Sequence, residues 1–320
     1  MALFLSEAEV RELLPMERAL ERVEASFAAQ HRGQAVNRLR ERISLPHTSL
    51  HYMAAALPEE KLLGMKIYTV TREAFRFVAL LFDAESGDLL ALLEADHLGR
   101  LRTGAASGVA TKYLARRDAS CLAVIGTGRQ ARTQLAAVAL VRKLAAVKVF
   151  GRDEKRREDF CGEMERQLHV EVRPATSAEQ AVRFADIVIA ATTAREPVVR
   201  GEWLRAGTHV NAIGSNLASR RELDDATLAR ASVIAVDSIE QAKEEAGDLI
   251  QGLANLHRGW DGVVELREIV AGARSGRVID DEITIFKSCG IAVWDVAVAG
   301  YVYRQAREKG KGRELEIWKA

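Results

Sequence analysis

The chain carries its most pointed chemistry near the middle, in Cys121-Leu-Ala-Val-Ile-Gly-Thr-Gly-Arg-Gln-Ala131. A short apolar strand, 122–125, runs into Gly126-x-Gly128-x-x-Ala131, and a helical pattern through Leu135, Val138 and Val141 follows. Each small residue answers a physical need. Gly126 permits a tight turn, Gly128 lets the backbone approach a pyrophosphate, and Ala131 lets helix and strand pack closely. The N–H groups at the helix start, with the positive end of its dipole, then face the phosphates. The flanking strand and helix, and a second strand at 147–150, set this motif apart from an ordinary glycine turn. The chemistry implied is that of a bound dinucleotide.

Such a turn works only if a parallel sheet holds it, and the surrounding sequence supplies one. Runs at 121–125, 147–150, 170–173, 187–190, 209–213 and 233–236 read as parallel strands, with helices centred near 137, 160, 181 and 228 between several of them. That pattern is α/β, a Rossmann-type doubly wound parallel sheet. The first third of the chain reads differently. Ser6-Glu-Ala-Glu9 resembles a capping box, and a helix is expected over 16–31. Strands follow at 61–70, 75–82 and 89–93, with turn chemistry in Asp83-Ala-Glu-Ser-Gly87, so an antiparallel or mixed sheet is expected. A run of small residues predicts a tightly packed helix over 103–115 that connects the two regions. A strand and a long helix over 283–307, then a charged tail, close the chain.

At 320 residues the chain is long enough for two cores. Its net charge of +1 gives no reason to expect nucleic acid or an anionic membrane as partner. No apolar run approaches the roughly 18 to 20 residues a bilayer span requires. Acidic residues within 1–9 come too early for a secretion signal, so a cytoplasmic location is expected. The cysteines at 121, 161 and 289 lack metal-type spacing, and no His-Glu-x-x-His cluster occurs; no metal site is expected.

Several further motifs coincide in order: Gly64-Met-Lys66-Ile-Tyr-Thr, Leu101-Arg102-Thr103-Gly-Ala-Ala, the glycine turn, Asn211-Ala-Ile-Gly-Ser215, Arg221-Glu-Leu-Asp224, Glu245-Ala-Gly-Asp248 and Phe286-Lys-Ser-Cys-Gly290. On these the chain resembles the ornithine cyclodeaminase and mu-crystallin family over essentially its whole length. The resemblance implies a dinucleotide-binding domain, 116–289, inserted into a discontinuous α+β substrate-binding and dimerisation domain, 1–115 plus 290–320. It also implies a homodimer, a small amino or imino acid as substrate, and hydride transfer between nicotinamide and the substrate α-carbon.

An α-imino acid must have its carboxylate fixed, and a guanidinium fork matches both carboxylate oxygens. By resemblance Arg102 is the carboxylate-binding arginine and Arg40 the second, with Arg42 as the alternative for that role. Lys66 is the matching active-site lysine, placed to hydrogen-bond the substrate and tune its protonation. Cofactor contacts are expected from Thr103, Gly126, Gly128, Arg129, Gln130, Thr192, the segment Asn211, Ala212, Ile213 and Gly214, and Ser288; Thr192 and Ser288 also suit simple helix caps. Asn216 is the departure. Cyclodeaminases of the family carry an aspartate at the matching position, and a neutral amide cannot serve as a base. An NAD(P)H-dependent reductase of α-imino acids is therefore expected, with an ornithine-type lyase or a mu-crystallin-like binding protein as the alternatives. At the end of the second strand, Arg152 suits a 2′-phosphate and leans the cofactor to NADP(H), while Asp153 leaves NAD open.

Overall fold

Strand Leu62–Val70 alternates buried and partly exposed residues, the signature of a sheet with one packed face. The computed structural model describes residues 1–318, and two compact units emerge from it: Met1–Arg102 with the described residues from Ile291 on, and Thr103–Gly290. In the first unit the strands run in the order Arg313–Leu315, Ala2–Leu5, Leu89–Glu94, Phe75–Asp83, Leu62–Val70, Ser49–Leu57 and Val36–Asn37, and Glu41–Ser44 also pairs with Ser49–Leu57. Neighbours are antiparallel except Ala2–Leu5 beside Leu89–Glu94, so the sheet is mixed. Helices Met16–His31 and Ala292–Lys309 pack on each other, and the second crosses strands Ser49–Leu57 and Leu62–Val70. That crossing is close. A Cβ added at Gly64 would lie 2.7 Å from the Leu80 carbonyl oxygen and 3.1 Å from Val296 Cγ2. The capping box expected at Ser6 and Glu9 opens helix Glu7–Leu13.

The second unit bears out the doubly wound fold. Its strands are all parallel, in the order Glu171–Pro174, Ala146–Phe150, Cys121–Ile125, Ile187–Ala190, His209–Ala212, Ile283–Lys287, Ala231–Val236 and Val263–Glu265. Both faces are covered. Leu122 and Val124 enter a core with Leu135, Val138 and Phe160, while Ala123 and Ile125 enter another with Val182, Val188 and Leu249. Two features went beyond expectation: Val263–Glu265 extends the sheet, and Ile283–Lys287 inserts between His209–Ala212 and Ala231–Val236.

The small-residue helix is longer than expected, Asp96–Leu114. Unit membership changes within it, at Arg102/Thr103, and again at Gly290/Ile291, where boundaries at 115/116 and 289/290 were expected. The reason lies in the small residues. Gln134 Nε2 donates to the Thr103 carbonyl at 3.0 Å, and a Cβ on Gly104 would stand 2.5 Å from the Thr133 carbonyl oxygen, so this half packs on helix Arg129–Val141. Among the described residues no helix is long and apolar enough to cross a membrane.

Candidate active site

In the first unit, alternation puts Gly64, Lys66 and Tyr68 on the packed face of strand Leu62–Val70. Lys66 is only 4% exposed, Arg102 4% and Arg40 6%. Between the first two lies a residue the sequence reading passed over. Asp295, in the first turn of helix Ala292–Lys309 and 1% exposed, presents Oδ1 to Lys66 Nζ at 3.1 Å and to Arg102 Nε at 3.0 Å. Its neighbour Trp294 is fully buried, meets Phe27 edge-on at 5.4 Å, and lies 5.6 Å from the Arg102 guanidinium. Arg40 brings Nη2 to 3.9 Å from Met53 Sδ, and Met53 is the strand partner of Lys66. Arg42 sits further out on Glu41–Ser44, partly exposed and opposite His51.

Lys66 and Arg102 thus share one oxygen of a single buried carboxylate, and a buried charge is costly unless its polar atoms are met. Arg102 Nη1 is buried without a hydrogen-bond partner, as is Asp295 Oδ2. Burial first, then the Arg102 charge, push the Lys66 ammonium down to about 8, with Arg40 adding to the shift and Asp295 opposing it. The cluster thus has the chemistry of a carboxylate receptor beside a readily exchanged proton. Aromatic rings continue the same face. His51 stacks on Tyr68 at 4.5 Å, Tyr68 on Phe77 at 5.0 Å, and Lys66 Nζ stands 5.3 Å from the Phe77 ring centroid.

The second unit builds the nucleotide turn as its residues require. Gly126 adopts φ +109°, and a Cβ there would collide with the Ala191 carbonyl. Gly128 is the N-cap of helix Arg129–Val141 with no side-chain cap, which leaves the first-turn N–H groups to an anion. Arg129 is exposed and Gln130 partly so at that end. Arg152 is exposed just past strand Ala146–Phe150. Asp153 is otherwise engaged: it caps helix Glu154–Leu168, its Oδ1 accepting from Arg156 N at 2.9 Å. These groups fit a dinucleotide phosphate.

Other expected contacts are held by a buried polar frame. Glu222 accepts from Thr192 N at 2.7 Å, Thr192 Oγ1 at 2.8 Å and Gly214 N at 2.6 Å, tying together the ends of strands Ile187–Ala190 and His209–Ala212. Asp248 accepts from Glu222 N at 2.6 Å and lies 2.8 Å from Lys287 Nζ, which also donates to the Ser215 carbonyl at 2.7 Å. Burial opposes the Lys287 charge, yet Asp248 holds its pKa above the ordinary lysine range. Ser288 Oγ–H donates to Asp237 at 2.9 Å, and the same carboxylate accepts from Cys289 N at 2.8 Å and Gly290 N at 2.5 Å. Not every expected residue faces outward. Asn211 and Ala212 are fully buried, and the Asn211 side chain donates to Thr111 Oγ1 at 2.9 Å. Ile213, Gly214 and Asn216 are partly exposed, so only the far end of the segment reaches the surface.

Glu222, Asp248 and Lys287 stand inside the motifs that carry the resemblance, where sequence alone assigns them no role, and Asp295 and Asp237 stand in none of those motifs. A signal did exist for Asp295. It is the lone acid in the otherwise apolar run Ile291-Ala-Val-Trp-Asp-Val-Ala-Val-Ala299.

Known proteins resemble this chain over nearly its whole length. The chain is 36% identical over 327 residues to Delta(1)-pyrroline-2-carboxylate reductase of Bacillus cereus, covering 98% of this chain and all of that one. Its fold superposes on the Thermococcus litoralis Delta(1)-pyrroline-2-carboxylate reductase, solved with NADH and L-proline, with a TM-score of 0.94, 38% identity and coverage of 98% and 100% of the two chains. An archaeal alanine dehydrogenase dimer with bound NAD gives a TM-score of 0.94 at 34% identity, covering 99% of each chain. Residues 1–310 match the ornithine cyclodeaminase/mu-crystallin family, and the chain belongs to that family.

Proposed function

We propose that this chain is an NAD(P)H-dependent reductase of α-imino acids, with a cyclic ketimine of the pyrroline-2-carboxylate type as preferred substrate. The carrying observation is the buried arrangement that sets Lys66 and Arg102 on Asp295 Oδ1 and leaves Arg102 Nη1 without a hydrogen-bond partner. A buried guanidinium nitrogen so placed calls for an acceptor, and an imino acid brings a carboxylate. The similarity to two pyrroline-2-carboxylate reductases supports this substrate class.

Reduction of a C=N bond adds hydride to the α-carbon, sends the π electrons to nitrogen and needs a proton there. A reduced nicotinamide nucleotide bound by the second unit supplies the hydride. The chain's own groups do the rest. Arg102 offers its fork to the carboxylate, Arg40 adds a second charge, and Lys66, as ammonium, holds a proton for the substrate nitrogen and takes it back from solvent. The Ser288 hydroxyl donates its hydrogen bond to Asp237, so its oxygen is left to accept from the N–H of a nicotinamide carboxamide. Gly126, Gly128, Arg129, Gln130, Thr103, Thr192, Ile213 and Gly214 form the remaining cofactor contacts. Arg152 favours NADP(H), because the acid that would serve NAD, Asp153, is spent on a helix cap. The chain works as a homodimer in the cytoplasm, where its thiols stay reduced. Asn216 stands where the lyases of this family carry an acid, which weighs against cyclodeamination.

A rate panel with both reduced cofactors tests the reading. Pyrroline-2-carboxylate and piperideine-2-carboxylate, and pyruvate or oxaloacetate with ammonia or methylamine, are the substrates, and cofactor absorbance is the readout. The cyclic imino acids are expected to turn over fastest. Ammonia release from ornithine without net cofactor change, and no imine reduction, would replace the reductase by a lyase.

A further inference from the structure

We propose that Asp295 is the positioning residue of this site, a fixed anion that sets Lys66 Nζ and Arg102 Nε against one oxygen and leaves the outer edge of the Arg102 fork for substrate. The inference rests on the reductase reading and names a residue to which it gave no role. A guanidinium has two usable edges. Asp295 Oδ1 takes Nε at 3.0 Å, and Nη1 is buried without a partner, so the η end of the fork keeps a nitrogen for a carboxylate oxygen. The same oxygen holds Lys66 Nζ at 3.1 Å, which fixes the spacing between the carboxylate-binding group and the proton-bearing one.

The anchor is rigid. Asp295 occupies the first turn of an 18-residue helix, where the dipole favours an anion. Asn37 Oδ1 accepts from Val293 N at 3.1 Å in that turn, and fully buried Trp294 wedges it against Phe27. A purely structural role is poorly served by this arrangement. A buried ion pair stabilises no better than apolar residues of the same volume, and the rest of this helix turn is apolar. The charged groups around Lys66 come from three other segments: Arg102 from helix Asp96–Leu114, Asp295 from helix Ala292–Lys309, and Arg40 from the stretch before Glu41–Ser44. From the sheet itself come the Tyr68 and Phe77 rings and Met53. Asp295 is the anion in contact with Lys66, and it opposes the effect of the two guanidinium charges on that ammonium.

Asp295→Asn and Asp295→Glu test this in the full-length protein. In the activity arm, Asp295→Asn should move the basic limb of kcat/KM for pyrroline-2-carboxylate down by about two pH units and lower kcat/KM at least tenfold at pH 8. Its NAD(P)H affinity should stay within twofold of wild type, and Asp295→Glu should recover most of the limb. In the binding arm, calorimetry with pyrrole-2-carboxylate at pH 7 in buffers of different ionisation enthalpy counts protons. Wild type should take up almost none, because Lys66 is already charged, while Asp295→Asn should take up close to one per site. An unmoved limb with equal proton uptake overturns the proposal, including when the variant merely melts earlier and Asp295→Glu fails to rescue it. The reductase reading fails separately, when wild type reduces no imino acid; the proton count still decides the role of Asp295.

Discussion

Lys66 combines burial with a place beside the Arg102 guanidinium, and its pH behaviour follows from that. With the Lys66 ammonium at about 8, kcat/KM for an imino acid should be level below that pH and fall above it as the ammonium is lost. Stability moves the opposite way. The folded pKa lies below the unfolded lysine value of roughly 10.4, so the unfolded chain binds the proton more tightly, and the burden Lys66 places on the fold is full below about pH 8 and lifts as pH rises toward 10.4. Lys66→Met should therefore raise the Tm at pH 7, lose that advantage near pH 10, and abolish imine reduction. Thermal melts across pH check it; a lowered Tm at pH 7 would show that the ion pair with Asp295 outweighs desolvation. Arg152→Ala should weaken NADPH at least tenfold more than NADH, and equal losses measured by fluorescence titration would assign the 2′-phosphate elsewhere. Legibility at this scale tracked motif context. Lys66 and Arg102 stood in distinctive short motifs, whereas Arg40 and Arg42 differed only in burial, which two alternate residues of a short charged run do not reveal. Asp295 had no spacing partner in sequence, since its two cations lie 229 and 193 residues away.

Strand Leu62–Val70 carries Lys66, and Gly64 decides how closely helix Ala292–Lys309, with its Asp295, can lie on that strand. A glycine replaced by alanine in regular structure usually gains a little stability by restricting the unfolded chain. Gly64→Ala should reverse that sign, because its Cβ would lie 2.7 Å from the Leu80 carbonyl, a backbone atom that cannot swing aside. A loss of about 1–3 kcal/mol is expected in denaturant melts, with kcat/KM falling further than stability alone explains, since the strand and the Asp295 helix would be forced apart. A neutral or stabilising result would show that the sheet shifts freely. Elements with a strong period were legible: helix Met16–His31 and the three hairpin strands stood within a residue or so of expectation. Strand Ser49–Leu57 was not, because its run of three alanines lacks the β-branched signature and is held extended by partners on both sides. Nor was the place of Ile283–Lys287 in the sheet order, since periodicity states that a segment is a strand and not which neighbours it inserts between.

At the scale of the whole molecule the first unit has a face its own helices do not claim. Along the sheet the packed residues alternate with others that remain partly exposed, and the register lines these up: Ala54, Met65, Leu80 and Leu92 in one row, Tyr52, Ile67, Val78 and Glu94 in the next. Nearly all are apolar, and Leu63 beside them is 45% exposed. A broad apolar sheet face on a chain of net charge +1 suits an interface, because apolar area of that extent favours burial. A second copy of the same chain is the occupant that fits, since a two-fold axis sets identical flat rows against each other. The archaeal alanine dehydrogenase with which this fold superposes is itself a dimer. Charge placed in the central row should therefore break it. Met65→Glu combined with Leu80→Glu points two carboxylates per chain into the interface, and like charges across a two-fold axis repel as well as desolvate. Light scattering should then report a mass near that of the single 35.2 kDa chain, against twice that for wild type. The second unit should remain folded and keep its nucleotide affinity, because its cores are built from residues 115–289 alone. A double variant that stays dimeric would move the interface to another surface, and a monomeric wild type would remove it altogether.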